Sequence, residues 1–258
     1  MTRLRARMAA MVSSRAPRLA GLVLLGLHLG LGAVAAHAQE APSPAIERLA
    51  PRYRTFLEEV APLISPAERQ AFLALDRDYR RDAFVRAFWR ARDPHPETAR
   101  NELEESWRER LELARSRFDA LDDERARLLL LNGAPSNSVE AFCTELLRPL
   151  ELWFYDRTDR IREPFSLVFF SPGGSRSGPW RLWYPSQGFA PFLALGGELL
   201  GDPAKVLELV EQRCPRSAEI VSGLGMAIDW GRVEERGGVI PRPSEEWLSA
   251  FAAGSTDL

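Results

Sequence analysis

Residues 88–118, FWRARDPHPETARNELEESWRERLELARSRF, decide how the chain is read. Pro94 and Pro96 each lack an N–H and bias the preceding residue away from the α region, so a helix running from about Asp82 through Phe84, Val85, Phe88 and Trp89 must stop near Arg92. A second helix begins around Thr98 or Asn101, and Asn101 followed by Glu104 resembles a capping box. Leu103, Trp107, Leu111, Ala114 and Phe118 step by four, four, three and four, which is one helical stripe. Glu102, Glu104 and Glu105 crowd the first turn and Arg115 and Arg117 the last, as the helix dipole favours. The segment predicts two amphipathic helices joined by a proline corner, with Trp89 and Trp107 buried on either side of it.

The same residues carry a resemblance. Phe88-Trp89, Arg92-Asp93-Pro94, Asn101-Glu102 and Arg117-Phe118 are similar to the front half of the GWxTD domain family of bacterial exported proteins. The likeness extends over roughly Ala45 to Tyr184. It implies a strand at Leu128 to Leu131 and a Gly-x-Pro turn at Gly133-Ala134-Pro135. At Ala120 to Glu124, where the namesake motif belongs, the chain reads Ala-Leu-Asp-Asp-Glu. The resemblance implies structural roles for Phe88, Trp89, Arg92, Asp93, Pro94, Asn101, Glu102, Arg117 and Phe118, and it brings no activity with it.

Upstream, residues 1–38 read as an export signal. Arg3, Arg5, Arg7, Arg15 and Arg18 precede the apolar run Leu19 to Ala36, and Ala36-His37-Ala38 suits a signal peptidase. Removing them leaves 220 of 258 residues, enough for one domain with its own core. The five arginines leave 29 bases against 36 acids, a net charge of −7. That balance argues against nucleic acid or an anionic membrane as the main partner. After cleavage no transmembrane segment is expected.

Ala45 to Arg90 is expected to be helical. Ile46, Leu49, Tyr53, Phe56, Leu57 and Val60 form one apolar face, and Ser65-Pro66-Ala67-Glu68 is a strong helix start. No glycine occurs between Gln39 and Asn132, which fits a continuous helical layer. Beyond Phe118 the pattern changes to short apolar runs between turn residues: Leu128 to Leu131, Leu150 to Tyr155, Phe165 to Phe170 and Trp180 to Tyr184. Their spacing leaves no room for helical crossovers, except around Val139 to Leu147, so an antiparallel meander is expected. In the second run Leu150, Leu152 and Phe154 alternate with Trp153 and Tyr155. The sheet is therefore either covered on both sides or open on an aromatic face.

Asp202-Pro203 opens a further helix through Val206, Leu207, Leu209 and Val210, and Pro215 to Asp229 holds another, interrupted at Gly223 and Gly225. The expected organisation is a signal peptide at 1–38, a single α+β domain at 39–236 and a linker with a C-terminal tail at 237–258, in which Gly237 to Pro243 reads as linker and Ser244 to Leu248 as a new short helix. Within the domain, a helical N-terminal layer precedes a small antiparallel sheet and C-terminal helices.

The residue types limit the chemistry. With His28 and His37 in the signal, His95 is the one histidine left, so histidine triads and histidine metal sites are not expected. Neither cofactor nor metal is called for. Asp122, Asp123 and Glu124, with Asp156 and Asp159, are the carboxylates available to a hydrolase, and solvated turns explain them as well. Gly173 to Gly178 lacks the lysine and following helix of a phosphate loop and reads as a hairpin tip. Trp153, Tyr155, Arg157, Trp180, Arg181, Trp183 and Tyr184 form a candidate binding surface for a glycan or peptide, or else fill the core. Cys143 and Cys214 are the cysteines, and in an oxidising compartment they are expected to pair as a structural disulfide. The function expected is protein–protein interaction or scaffolding in the cell envelope, with an unknown envelope protein as partner. A glycan- or peptide-binding module and a carboxylate-dependent envelope hydrolase are the alternatives. Location is periplasmic or secreted.

Overall fold

The structure is a computed structural model that describes residues 44–158, 160–244 and 246–253. The expected signal peptide, Asp159 and Glu245 lie outside the described residues.

Among the described residues six helices come first: α1 (Pro44–Glu47), α2 (Pro51–Glu59), α3 (Pro66–Ala74), α4 (Asp78–Arg90), α5 (Glu102–Arg117) and α6 (Glu124–Asn132). A four-stranded antiparallel meander follows, with β1 (Asn137–Ala141), β2 (Leu150–Tyr155), β3 (Phe165–Phe170) and β4 (Arg181–Leu182) adjacent in chain order. The chain then returns to helix in α7 (Leu195–Leu200), α8 (Pro203–Arg213), α9 (Ser217–Met226), α10 (Trp230–Glu235) and α11 (Glu246–Ala252). This is the α+β order expected from the sequence.

Local chemistry explains the boundaries. Ser65 and Glu68 make both bonds of a capping box at the start of α3. At the proline corner the Asn101 side chain accepts from the Glu104 N–H at 2.9 Å and donates to the Trp89 carbonyl at 2.6 Å. One amide thus caps α5 and ties it to the end of α4. The reciprocal half of the expected capping box is not made, because the Glu104 carboxylate turns to Arg108 four residues on. Asp202 caps α8 by accepting from the Ala204 N–H at 3.0 Å.

The sheet is covered on both faces, and period-two alternation decides which residue goes where. Trp153, Tyr155, Phe165, Leu167 and Phe169 face the N-terminal helices. Leu150, Leu152, Val168 and Phe170 face a second core built with α8, α9 and Phe192. Helix α9 lies close on this face because it carries Gly223, where a side chain would collide with Leu152. The Gly223 carbonyl accepts from the buried Ser166 hydroxyl of β3.

Three expectations are corrected. Leu128 to Leu131 is not a strand but the body of α6, capped by Asp123 and ended by Gly133 at φ 77°. Four consecutive leucines have no periodicity to separate strand from helix, and the two caps decide it. The segment read as a potential crossover, Val139 to Leu147, begins with the edge strand β1. Helix α9 runs through Gly223 and Gly225 without interruption. The short helix expected from Ser244 to Leu248 is present as α11. Trp247 and Phe251 of α11 pack on Phe84 of α4, with ring centroids 5.3 and 5.4 Å apart.

Beneath that contact lies an ion pair. Arg92 donates to both Glu68 oxygens at 2.8 and 2.7 Å, with side chains 2% and 5% exposed. Arg92 also donates to the Phe88 and Leu63 carbonyls and stacks on the Phe88 ring at 3.7 Å, while the Trp247 indole donates to Glu68. Burial lowers the pKa of Arg92, and Glu68 offsets only part of the loss. Cys143 and Cys214 have Cα atoms 5.6 Å apart and sulfurs at bonding distance.

Candidate functional site

Two of the carboxylates considered for hydrolysis, Asp123 and Glu124, are engaged in holding the fold together, while Asp122 is exposed. Asp123 caps α6 and pairs with Arg125, whose guanidinium also reaches Glu151 at 3.0 Å and stacks over Phe118 and Trp180. Burial works against the charge of Arg125, and Asp123 with Glu151 more than offsets it, so its pKa is held above the ordinary value. Glu124 accepts from the Leu182 N–H and so fixes α6 to β4. Asp156 is exposed at the end of β2. Among the described residues no group of three or more His, Cys, Asp or Glu side chains is placed to hold a metal ion. His95 is exposed in the proline corner, 3.5 Å from Glu97.

The aromatic group is not an open face. Trp153 is 0% and Trp183 5% exposed, and Tyr155 and Trp180 are buried with them. The group is also split, since Trp153, Tyr155 and Trp180 belong to the first core and Trp183 to the second. Each indole N–H is used internally: Trp153 on Glu151, Trp180 on the Arg176 carbonyl, Trp183 on the Gly188 carbonyl. Tyr155 donates to the Gly133 carbonyl at 3.1 Å, and burial holds its phenol well above the usual range. Tyr184 is half-buried, and Arg157 and Arg181 are exposed. As a binding surface this set is therefore corrected: its aromatic members fill the two cores.

Apolar surface lies elsewhere. The exposed large hydrophobic side chains among the described residues are Tyr79, Leu195, Leu199 and Leu200, and three of these belong to α7. Leu195 is 74% and Leu199 81% exposed, one helical turn apart. The opposite side of α7 explains this. Gly196 and Gly197 rest directly against the carbonyls of Glu145 and Leu146, where any side chain would collide. The helix therefore docks by its backbone and turns its leucines outward. Its N-terminus is pinned by the Ala194 N–H on the Leu146 carbonyl at 3.0 Å and by Arg148, which bonds Phe192 and Leu193 carbonyls at 2.8 and 3.0 Å. Beside it runs an open groove of about 340 Å³ lined by Leu147, Arg148, Pro149, Leu193, Leu195 and Glu198. Arg148 and Glu198 approach to 3.7 Å across it.

Compared with protein-family models, with curated proteins and with solved structures, the chain gives no significant match to any of them.

Sequence reasoning missed α7. Two adjacent glycines disfavour helix, and the apolar residues around them read as loop. One signal was present: Leu195 and Leu199 are four apart with only small residues and Glu198 between them, an apolar pair without a second pair to complete a core-facing stripe.

Proposed function

We propose that the chain is an exported protein-interaction domain of the cell envelope, related to the GWxTD family, that presents α7 to a protein partner. The observation that carries this reading is the exposure of Leu195 and Leu199 on a helix whose glycine face is locked to the body of the protein. Isolated exposed leucines are ordinary, but a rigidly held apolar cluster beside a groove is the kind of surface that protein contacts bury. In the groove beside α7, Glu198 is paired with Arg148. The net negative charge of the chain after signal removal favours a protein surface over an anionic lipid surface. A cysteine pair at disulfide distance is in keeping with an oxidising location, periplasmic or secreted. Among the described residues no helix is long and apolar enough to cross a membrane. Neither alternative draws comparable support, because the sheet aromatics are interior and Asp123 and Glu124 are committed to α6 and β4.

A photo-reactive residue replacing Leu199 in the exporting cell tests the proposal. A discrete adduct with one envelope protein is expected, and it should vanish when Leu195→Glu is added. The same probe replacing Tyr79 should not form it. An identical adduct pattern from both positions would overturn the reading.

A further inference from the structure

We propose that the Cys143–Cys214 bridge is an exchangeable clamp on the leucine helix, opened by a dithiol; this rests on the reading of α7 as the interaction surface. Bridge and helix share one pedestal, the turn at residues 143–147. Its Leu146 and Leu147 N–H groups donate to the Cys143 carbonyl at 2.8 and 2.7 Å. Its Glu145 and Leu146 carbonyls are the surface against which Gly196 and Gly197 of α7 lie. From the far end of α7 the chain passes Gly201, enters α8 and stops at Cys214, bonded back to Cys143. The bridge thus closes a ring through pedestal, α7 and α8, and α7 contributes little apolar burial of its own to hold it there.

Two observations bear on opening. Glu140, Phe142, Pro215 and Arg216 line an open depression of about 360 Å³, so the immediate neighbours of both cysteines border space that a reductant can enter. Arg216, two residues beyond Cys214, has φ 62°, a left-handed backbone rare for a residue with a side chain. Such a conformation persists where the surrounding structure enforces it and relaxes when a constraint is removed.

The exchange balances as follows. Cys214 is the less buried of the two, so a thiolate of the dithiol attacks its sulfur. A mixed disulfide forms and Cys143 leaves as a thiolate, which takes a proton. The second thiol of the reductant then displaces Cys214 as a thiol, and the reductant departs as a disulfide. Two electrons and two protons have passed to the protein. The pedestal turn then keeps only its non-covalent packing with α8, and the leucines lose their fixed presentation.

Hydrogen exchange on the full chain, oxidised or treated with dithiothreitol in native buffer and alkylated, tests this. Amides of residues 143–149 and of α7 are expected to exchange about tenfold faster or more after reduction, while those of α5 in the first core keep their protection. A Cys143→Ser, Cys214→Ser double variant should match the reduced parent; if it does not fold, the treated parent carries the test. Unchanged α7 exchange, equal acceleration everywhere, or a bridge that yields to dithiothreitol only in denaturant would each overturn the clamp. With the photo-probe replacing Leu199, adduct formation should fall at least about fivefold on reduction if local opening controls presentation. Undiminished adduct would also overturn the clamp. A clamp response in exchange with no adduct in either state would instead sink the interaction reading and leave the clamp standing.

Discussion

The Glu68 carboxylate serves three partners at once. It closes the capping box with the Ser65 N–H, takes Arg92 on both oxygens and accepts from the Trp247 indole. A buried pair of this kind adds little over two apolar residues, but removing one partner strands the other's charge. Glu68→Gln keeps the shape and deletes the charge, so it is expected to cost about 3–5 kcal/mol in urea unfolding. Replacing both partners, Glu68→Leu with Arg92→Met, should recover much of that; equal losses in the single and double variants would show that the charge is not what matters. Tyr155 gives a pH-dependent counterpart. Its folded pKa is raised above the ordinary 10.0 by burial, so the native state keeps a proton that the unfolded state releases. Stability from the neutral phenol is fully present below about pH 10 and is lost as pH rises through the folded value. Tyr155→Phe gives up the bond to Gly133, about 1 kcal/mol at neutral pH, yet escapes the alkaline loss. The gap between parent and variant in urea midpoint should therefore close above pH 10. A constant gap would mean that the phenol is not buried.

At the scale of elements, the proline corner was legible because each of its signals is local. Pro94 and Pro96 end α4, Asn101 opens α5, and the stripe through Trp107 and Leu111 points inward. Trp107 is 0% exposed, and its indole donates to the Glu59 carbonyl at the end of α2, so it fastens α5 to the first helices. Trp107→Ala is expected to cost about 3–5 kcal/mol. A melting temperature within error of the parent would disprove that packing. What was not legible depended on distant partners. In β1 only Val139 and Ala141 face inward, too short an alternation to announce a strand, and it forms because β2 offers it an edge. The aromatics of β2 and those flanking β4 gave no sign of exposure or burial in themselves, since both outcomes place a tryptophan at alternate positions. Only the helices laid over each face decide it. Helix α7 is the extreme case, because its glycines disfavour helix locally and make sense only against the carbonyls of Glu145 and Leu146.

At the scale of the whole molecule, one sheet separates two cores, and both are closed by chain from the C-terminal half. Helices α8 and α9 complete the second core, while Trp230 and Trp247 return to the first. The strands alternate between the two, so β2 and β3 cannot lose one core without disturbing the register that serves the other. Unfolding of the oxidised protein is therefore expected to be one cooperative transition, although the cores share no cluster of side chains. Two variants placed on opposite faces test this. Trp247→Ala strips the cover from Phe84 and the indole donor from Glu68, and is expected to cost about 3–5 kcal/mol. Leu152→Ala opens a hole under Gly223 in the second core, at about 2–5 kcal/mol. If the sheet couples the cores, each variant lowers the midpoint of the same transition and leaves the denaturant slope unchanged, by fluorescence and by circular dichroism alike. A split into two steps, with Trp247→Ala moving one and Leu152→Ala the other, would show the cores to be independent.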